Sequence, residues 1–123
     1  MATIIGIDHV QIAMPEGAEE QARQFYSGVL GLPELVKPAH LAVRGGAWFA
    51  CGAQQLHLGG EASFTAAKKA HPALLVDDLA ALLIVLAGRG LAAQFDVPLA
   101  DARRSTIFDP FGNRIELIER LPA

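Results

Sequence analysis

The sequence predicts an α+β fold made of two tandem βαβββ modules. Three observations support this. Each half of the chain opens with a strand-like segment followed by a helix, both helices close on a similar Gly-Leu motif, and each half ends in strand, Gly-containing turn and strand. We expect one domain spanning residues 1–123, with a first module over 4–58 and a second over 71–120.

The elements of the first module follow from hydrophobic periodicity. Residues 7–14 (IDHVQIAM) alternate like a strand, and residues 15–32 begin with Pro and acids, carry apolar residues at helical spacing and close with LGL. A short strand is expected over 34–37. The segment 48–58 (WFACGAQQLHL) then reads as two strands joined at a glycine.

The second module repeats this order. Residues 71–76 (HPALLV) form a short apolar strand, and Asp77 or Asp78 caps an apolar helix that ends at GRGL. A short strand is expected over 92–95, and 106–117 (TIFDPFGNRIEL) matches the closing hairpin of the first module. The two irregular stretches, 38–46 and 59–70, are expected to be loops, and the second of them joins the modules.

Ionisable residues interrupt the apolar strands at equivalent places of the two halves. Neighbouring strand residues point to opposite faces, so apolar neighbours that pack on a helix leave the ionisable side chain on the other face of the sheet. In the last strand, for example, Ile115 and Leu117 share one face and Glu116 takes the other. The four residues concerned are His9, His57, His71 and Glu116.

These four residue types indicate a site for one divalent metal ion. Imidazole and carboxylate are ligands for Zn, Ni, Fe, Co and Mn, and burying four ionisable groups without a partner costs a few kcal/mol each. A single such residue is more often solvent-facing or weakly ion-paired. Their recurrence at matching places of a repeat favours the metal site. His40, in a loop, is expected at the surface.

Three further residues are candidates for substrate binding. Gln11 and Gln55 share the face of the predicted ligands and can hydrogen-bond a substrate, or they fill polar space at a cavity rim. Trp48 can wall the cavity, although an aromatic residue in a strand is more often part of the core.

Composition excludes several classes of function. The net charge is −3, with 10 Lys and Arg against 13 acids, which argues against a nucleic-acid partner. The longest apolar run, residues 79–87, is too short for a membrane span. The single cysteine, Cys51, permits no intrachain disulfide, and the first residues show no export signal, so we expect a cytoplasmic protein.

Together these segments resemble the vicinal oxygen chelate superfamily, which includes glyoxalase I, methylmalonyl-CoA epimerase, fosfomycin-resistance thiol transferases, extradiol dioxygenases and bleomycin-resistance proteins. The resemblance rests on IDHVQIAM, FYSGVLGL, QLHLG, HPALLV and DPFGNRIELIE. It implies a mixed sheet curled into a half-open barrel with helices outside. It also implies a homodimer with shared metal sites, in which His9 and His57 of one chain meet His71 and Glu116 of the other.

The sequence departs from glyoxalase I at one expected ligand. His57 stands where that enzyme has a glutamate, and a metal-bound neutral imidazole is a poor general base, which leaves proton transfer to Glu116, as the catalytic residue, or to a metal-bound water. The resemblance thus implies a metal-dependent lyase, isomerase or thiol transferase that binds oxygens of a small substrate and stabilises an enolate or oxyanion. The alternatives are a metal-independent drug- or metabolite-binding protein, as in bleomycin resistance, and an extradiol dioxygenase using Fe.

Overall fold

The chain folds as two compact units, residues 1–64 and residues 65–123, in a computed structural model that describes all 123 residues. Each unit contains one open four-stranded mixed sheet. In each sheet the first strand runs parallel to the fourth, while the remaining neighbours are antiparallel. The predicted α+β class and the tandem βαβββ modules are confirmed.

Unit 1 has the strand order β1-β4-β3-β2. The parallel β1/β4 pair is made possible by the intervening helix and strands, which carry the chain back to the same end of the sheet. Its elements are β1 (His9–Pro15), α1 (Glu19–Ala22) with a π-helical continuation (Arg23–Val29), β2 (Glu34–Leu35), α2 (Ala39–Ala42), β3 (Ala47–Cys51) and β4 (Gln54–Glu61).

Unit 2 repeats this topology with the order β5-β8-β7-β6. Its helix begins as predicted, because the Asp78 carboxylate accepts a hydrogen bond from the Ala81 amide at 3.0 Å and caps the first turn. The elements are β5 (Ala73–Leu75), α3 (Leu79–Gly88), β6 (Gln94–Phe95), β7 (Ala102–Phe108) and β8 (Arg114–Arg120).

The first helix departs from the expected 3.6-residue period. After Ala22 it widens into a π-helix, in which the Leu30 amide donates to the carbonyl of Phe25, five residues earlier, at 2.9 Å. The extra residue in the turn places Tyr26 in the core with no exposed surface, while Val29 remains partly exposed. Gly31 then ends the helix at φ +78°.

Several boundaries differ from the prediction. β1 begins at His9 rather than at Ile7, and β4 continues to Glu61, into the stretch 59–70 that was expected to be a loop. The stretch 38–46, expected to be irregular, contains the single helical turn α2, which follows Pro38. β5 begins at Ala73 rather than at His71, because Pro72 has no amide to enter the ladder; its carbonyl instead accepts from the Glu116 amide at 3.0 Å.

The apolar faces of the central strands are buried as alternation predicts, whereas Val10, on the edge strand β1, is 39% exposed. Phe49, Leu56 and Leu58 are at most 2% exposed in unit 1, and Ile115 and Leu117 are equally buried in unit 2. The side chains between them therefore point to the opposite face of each sheet. None of the helices has the length and apolarity needed to cross a membrane.

Candidate functional site

Three rings form a stacked row across the sheet of unit 1. The imidazole of His57, on β4, lies between His9 of β1, with ring centroids 4.2 Å apart, and Trp48 of β3, with centroids 4.3 Å apart. The sheet register explains the row, because Trp48 is the direct partner of His57 and cross-strand partners share a face. His57 is only 5% exposed, whereas the His9 side chain is 45% exposed.

Each of the two imidazoles has one hydrogen bond of its own. The Nε2–H of His57 donates to Oε1 of Gln55 at 2.8 Å, which leaves Nδ1 as its unprotonated nitrogen. Nδ1 of His9 bonds the exposed carboxylate of Asp8 at 2.9 Å. Gln55 therefore orients the buried ring, while His9 is held only by a solvent-exposed neighbour.

A cavity of about 660 Å³ lies against this row of rings, within unit 1. All of the predicted substrate-binding residues line it, and so do both histidines. Gln11 lies against Gly59, where an added Cβ would approach its amide nitrogen to 2.7 Å, so the glycine makes room for this side chain. The lining residues used below are Asp8, His9, Gln11, Lys37, Arg44, Trp48, Gln55 and His57.

Burial lowers the pKa of His57, and the nearby charges of His9 and Lys37 act in the same direction, while Asp8 opposes them. The folded protein therefore holds His57 neutral at a pH where the unfolded chain already binds a proton. Its contribution to stability is complete above the ordinary pKa of 6.5 and is lost as pH falls from there through the lower folded value.

We therefore expect the free energy of unfolding to fall as pH is lowered below about 6.5, and His57→Gln to reduce that fall. Glutamine keeps a polar side chain but does not titrate in this range. The measurement is urea unfolding of both proteins at pH values from about 8 to about 5. Equal pH dependence in the two proteins would show that His57 is not the group responsible.

In unit 2, Glu116 and His71 face each other across the start of the sheet. Nε2 of His71 is 3.9 Å from Oε1 of Glu116, whose residue is 7% exposed. Nδ1–H of His71 donates to the Lys69 carbonyl at 2.7 Å, so its Nε2 carries the lone pair that faces the carboxylate. Arg104 completes the cluster, with Nη1 at 3.3 Å from the same carboxylate oxygen and Nε bonded to the Val97 carbonyl at 2.9 Å.

The register of the two sheets places the four predicted ligands at equivalent positions. In unit 1, Gln11 of β1 pairs with His57 of β4, and His9 stands two residues before Gln11. In unit 2, Ala73 of β5 pairs with Glu116 of β8, and His71 stands two residues before Ala73. His9 with His57, and His71 with Glu116, are therefore the same pair of positions in the repeated fold.

The predicted site leaves out three charged residues of these two clusters. Lys37 and Arg44 line the cavity of unit 1, but Lys37 ends a short predicted strand and Arg44 lies in the stretch expected to be irregular, so no periodicity marked them. The sequence points only weakly to Arg104. In the observed hairpin it pairs with Ile118, which lies two residues after Glu116 and on the same face of the sheet. His40, expected at the surface, is exposed and does not line the cavity.

The model of the glyoxalase/bleomycin resistance protein/dioxygenase superfamily matches residues 6–117. The chain belongs to this superfamily. A glyoxalase family protein from Bacillus anthracis is 45% identical, with a TM-score of 0.94 and 98% of each chain covered. No curated protein matches the sequence.

More distant members of the superfamily share the fold. A lactoylglutathione lyase from Agrobacterium tumefaciens is 22% identical with a TM-score of 0.71, over 93% of this chain and 92% of that one. A fosfomycin resistance protein from Listeria monocytogenes is 12% identical with a TM-score of 0.74, over 95% and 94% of the two chains.

The two pairs of predicted ligands differ in how well they fit a divalent metal ion. The pair in unit 2 fits one as it stands. The 3.9 Å between His71 Nε2 and Glu116 Oε1 is shorter than two metal–ligand bonds of about 2.1 Å each, and the lone pair is already directed at the carboxylate. Arg104 competes for the same oxygen.

The pair in unit 1 fits only after one side chain moves. The rings of His9 and His57 are stacked at an interplanar angle of 16°, and nitrogen lone pairs lie in the ring plane, so the two rings do not point at a common ion. His9 is the more exposed ring and can turn without disturbing the core. Neither unit brings three potential metal-binding side chains together.

Proposed function

We propose that the protein is a divalent-metal-dependent enzyme of the glyoxalase, epimerase or thiol-transferase type, whose metal is held by His9, His57, His71 and Glu116. The observation that supports the proposal most strongly is their equivalence in the repeat: each pair occupies the same two register positions of its sheet. If these positions served packing alone, apolar side chains would be expected there, because burying an ionisable side chain costs free energy.

In this proposal each side chain has a defined task. His71 is oriented by the Lys69 carbonyl, which fixes its tautomer and leaves Nε2 free to bind. His57 is oriented by Gln55 and is kept neutral by the lowered pKa described above, which is the state in which imidazole binds metals. A bound divalent ion would supply Lewis-acid stabilisation of an enolate or oxyanion on the substrate.

Glu116 is the proposed proton-transfer group. Its Oε1 accepts a hydrogen bond from Arg104 at 3.3 Å and lies 3.9 Å from Nε2 of His71, whereas its Oε2 forms no hydrogen bond within the protein. A carboxylate with one oxygen anchored and one free can take a proton from a carbon next to a polarised carbonyl and return it. Arg104 keeps the carboxylate oriented while this happens.

We propose a cytoplasmic homodimer, in which His9 and His57 of one chain complete a site with His71 and Glu116 of a second copy. The two pairs then supply four ligands to one ion, whereas each pair alone supplies two. The reducing compartment suits Cys51, a partly buried free cysteine whose thiol pKa is raised by burial and which is therefore unreactive.

The first test is the metal content of the purified protein. We expect about one divalent ion per chain by elemental analysis after loading with Zn, Ni, Fe, Co or Mn, and a loss of most of it in His57→Ala. His40→Ala is the matched control, because it removes an exposed imidazole outside the cavity. The proposal fails if the wild type holds no stoichiometric metal, or if His57→Ala holds as much metal as the wild type and the His40→Ala control.

The substrate is then sought among molecules that present adjacent oxygens to a metal. The screen covers 2-oxoaldehyde–thiol adducts, epimerisable acyl thioesters, fosfomycin and catechols, each assayed with the metal-loaded protein. Turnover that is lost in Glu116→Ala and retained in His40→Ala is the expected result. Catechol cleavage with Fe would assign the dioxygenase reaction instead.

A second candidate function is metal-independent binding of a drug or metabolite. One observation favours it: the rings of His9 and His57 are stacked on each other rather than directed at a common point, beside a cavity of about 660 Å³. A protein of this kind would bind its ligand equally well with and without a chelator. It would also lack stoichiometric metal.

A further inference from the structure

The cavity of unit 1 carries an excess of positive charge that the proposed metal chemistry does not use. Unit 1 contains three lysine or arginine residues. Arg23 is paired with the Glu34 carboxylate at 2.9 Å, and the other two, Lys37 and Arg44, line the cavity. The guanidinium of Arg44 forms no hydrogen bond or ion pair, so its five N–H donors are available to the cavity and solvent.

Lys37 and Arg44 form a cationic wall of the cavity, and the acidic side chains nearby do not neutralise its charge. Asp8 is the only carboxylate that lines the cavity; it is 93% exposed and bonded to His9. Glu19 lies close enough to Lys37 for its pKa to be lowered, but the larger cause is the hydrogen bond that its Oε1 accepts from the Gly46 amide at 3.0 Å. Glu19 is thus committed to the backbone of the loop.

The loop that presents these cations is held in place by its own contacts. The ammonium group of Lys37 donates to the Gly45 carbonyl, and Gly45 and Gly46 both have positive φ, +72° and +87°. An added Cβ at Gly46 would lie 2.7 Å from the Leu58 carbonyl oxygen, so the loop packs directly on the backbone of β4. The cationic wall is therefore a built part of the fold.

The row of rings makes the rest of the cavity suitable for an anion. Lys37 lies 5.6 Å above the ring of Trp48, whose face also stacks on His57. With Lys37 and His57 both stacked against the indole, its edge remains for a ligand, and the edge of an aromatic ring of this kind is its electropositive part. Gln11, whose amide forms no hydrogen bond within the protein, adds a neutral donor.

We propose that this cavity binds the carboxylate of a small organic anion through Lys37 and Arg44. The inference rests on the proposed function in taking that anion as the substrate, and it narrows the substrate to molecules that carry a carboxylate besides the reacting oxygens. Arg44 forms charge-assisted hydrogen bonds to the carboxylate, and Lys37 supplies a second positive charge from a fixed loop.

The test uses two probes of the same shape, benzoate and benzamide, with the full-length protein. Trp48 is the only tryptophan and stands in the cavity wall, so its fluorescence reports binding there directly. We expect a saturable change with benzoate and at least about tenfold weaker binding of the uncharged amide. Both titrations are repeated with protein that has been treated with EDTA to remove metal and then dialysed free of the chelator, and benzoate binding is expected to persist.

Variants assign the binding to the two cations. Arg44→Gln is expected to weaken benzoate binding about tenfold without a change in folding, because Arg44 has no partner in the protein. Lys37→Gln is expected to weaken it similarly, and Lys37→Arg to retain it. Lys68→Gln removes the same charge from an exposed position outside the cavity and is expected to bind like the wild type.

Several results would overturn the inference: equal binding of benzoate and benzamide, no loss in Arg44→Gln, equal loss in Lys68→Gln, or benzoate binding that disappears with EDTA. The last would mean that a metal, and not the cationic wall, holds the carboxylate. A protein that holds stoichiometric metal through His57 but ignores benzoate would keep the proposed function and lose only this inference.

Discussion

Replacing Glu116 by glutamine is expected to lower the affinity for a divalent metal by at least about 100-fold. The substitution preserves the size of the side chain but removes the charge that binds the ion, and it leaves Arg104 without its carboxylate partner at 3.3 Å. The measurement is a competition titration against a coloured chelator, with circular dichroism to show that the fold is retained.

Glu119→Gln is the matched control for this prediction. It makes the same change on the same strand, but the Glu119 carboxylate accepts from the Leu79 amide at 2.8 Å and so serves the start of α3. Glutamine retains an acceptor oxygen there, so metal affinity is expected to stay at the wild-type value. Equal affinities for the wild type and Glu116→Gln would remove Glu116 from the ligand set.

A mixing experiment tests whether the ligands come from two chains. If one site takes His57 from one copy and Glu116 from the other, a mixed dimer of His57→Ala and Glu116→Gln chains contains one intact site and one doubly altered site. Mixtures refolded together are then expected to recover part of the metal content that each variant lacks alone. No recovery in a verified mixed dimer would assign all four ligands to one chain.

Replacing Asp109 by alanine is expected to destabilise the protein by about 3 kcal/mol. Its buried Oδ1 accepts from the amides of Phe111 and Asn113 at 2.9 and 2.8 Å, and Oδ2 accepts from the Asn113 side chain at 2.8 Å. These bonds hold the reversal between β7 and β8, where Gly112 has φ +88°. Alanine leaves two amides of a buried turn without their acceptor.

Urea unfolding followed by far-UV circular dichroism measures this loss. Asp109→Asn keeps one acceptor oxygen for the two amides but loses the charge and the hydrogen bond from the Asn113 side chain, and is expected to cost about 2 kcal/mol. Asp101→Ala removes an exposed carboxylate that is 3.4 Å from Arg120 and is expected to cost no more than about 0.5 kcal/mol. If Asp109→Ala were as stable as Asp101→Ala, the turn would not depend on this carboxylate.

Local patterns were sufficient for much of the fold. Alternation alone predicts that Glu116 points away from Ile115 and Leu117, and the two apolar neighbours are buried as expected. The Asp78 cap and the glycine at the end of the first helix follow from backbone preferences that act within a few residues. The repeat then relates His57 to Glu116 before any coordinates are known.

The π-helical turn could not be predicted in the same way. Ala18, Ala22, Phe25 and Val29 fit an ordinary helix, yet the core receives Tyr26, which packs edge-to-face on Phe25 and contacts Phe49 with ring centroids 5.5 Å apart. Fitting these rings against β3 decides the local period, because packing of a large side chain outweighs the small cost of a wider turn.

The repeat, most strands and helices, and the face on which each candidate ligand lies can be predicted from the amino-acid sequence, because they depend on periodicity and on backbone chemistry within a few residues. What those side chains contact depends on the folded chain. His57 stacks on Trp48 and bonds Gln55, Glu116 receives Arg104, and Lys37 and Arg44 line one cavity. Such contacts join different strands and loops, and contact energies depend on distances that only the folded register brings about.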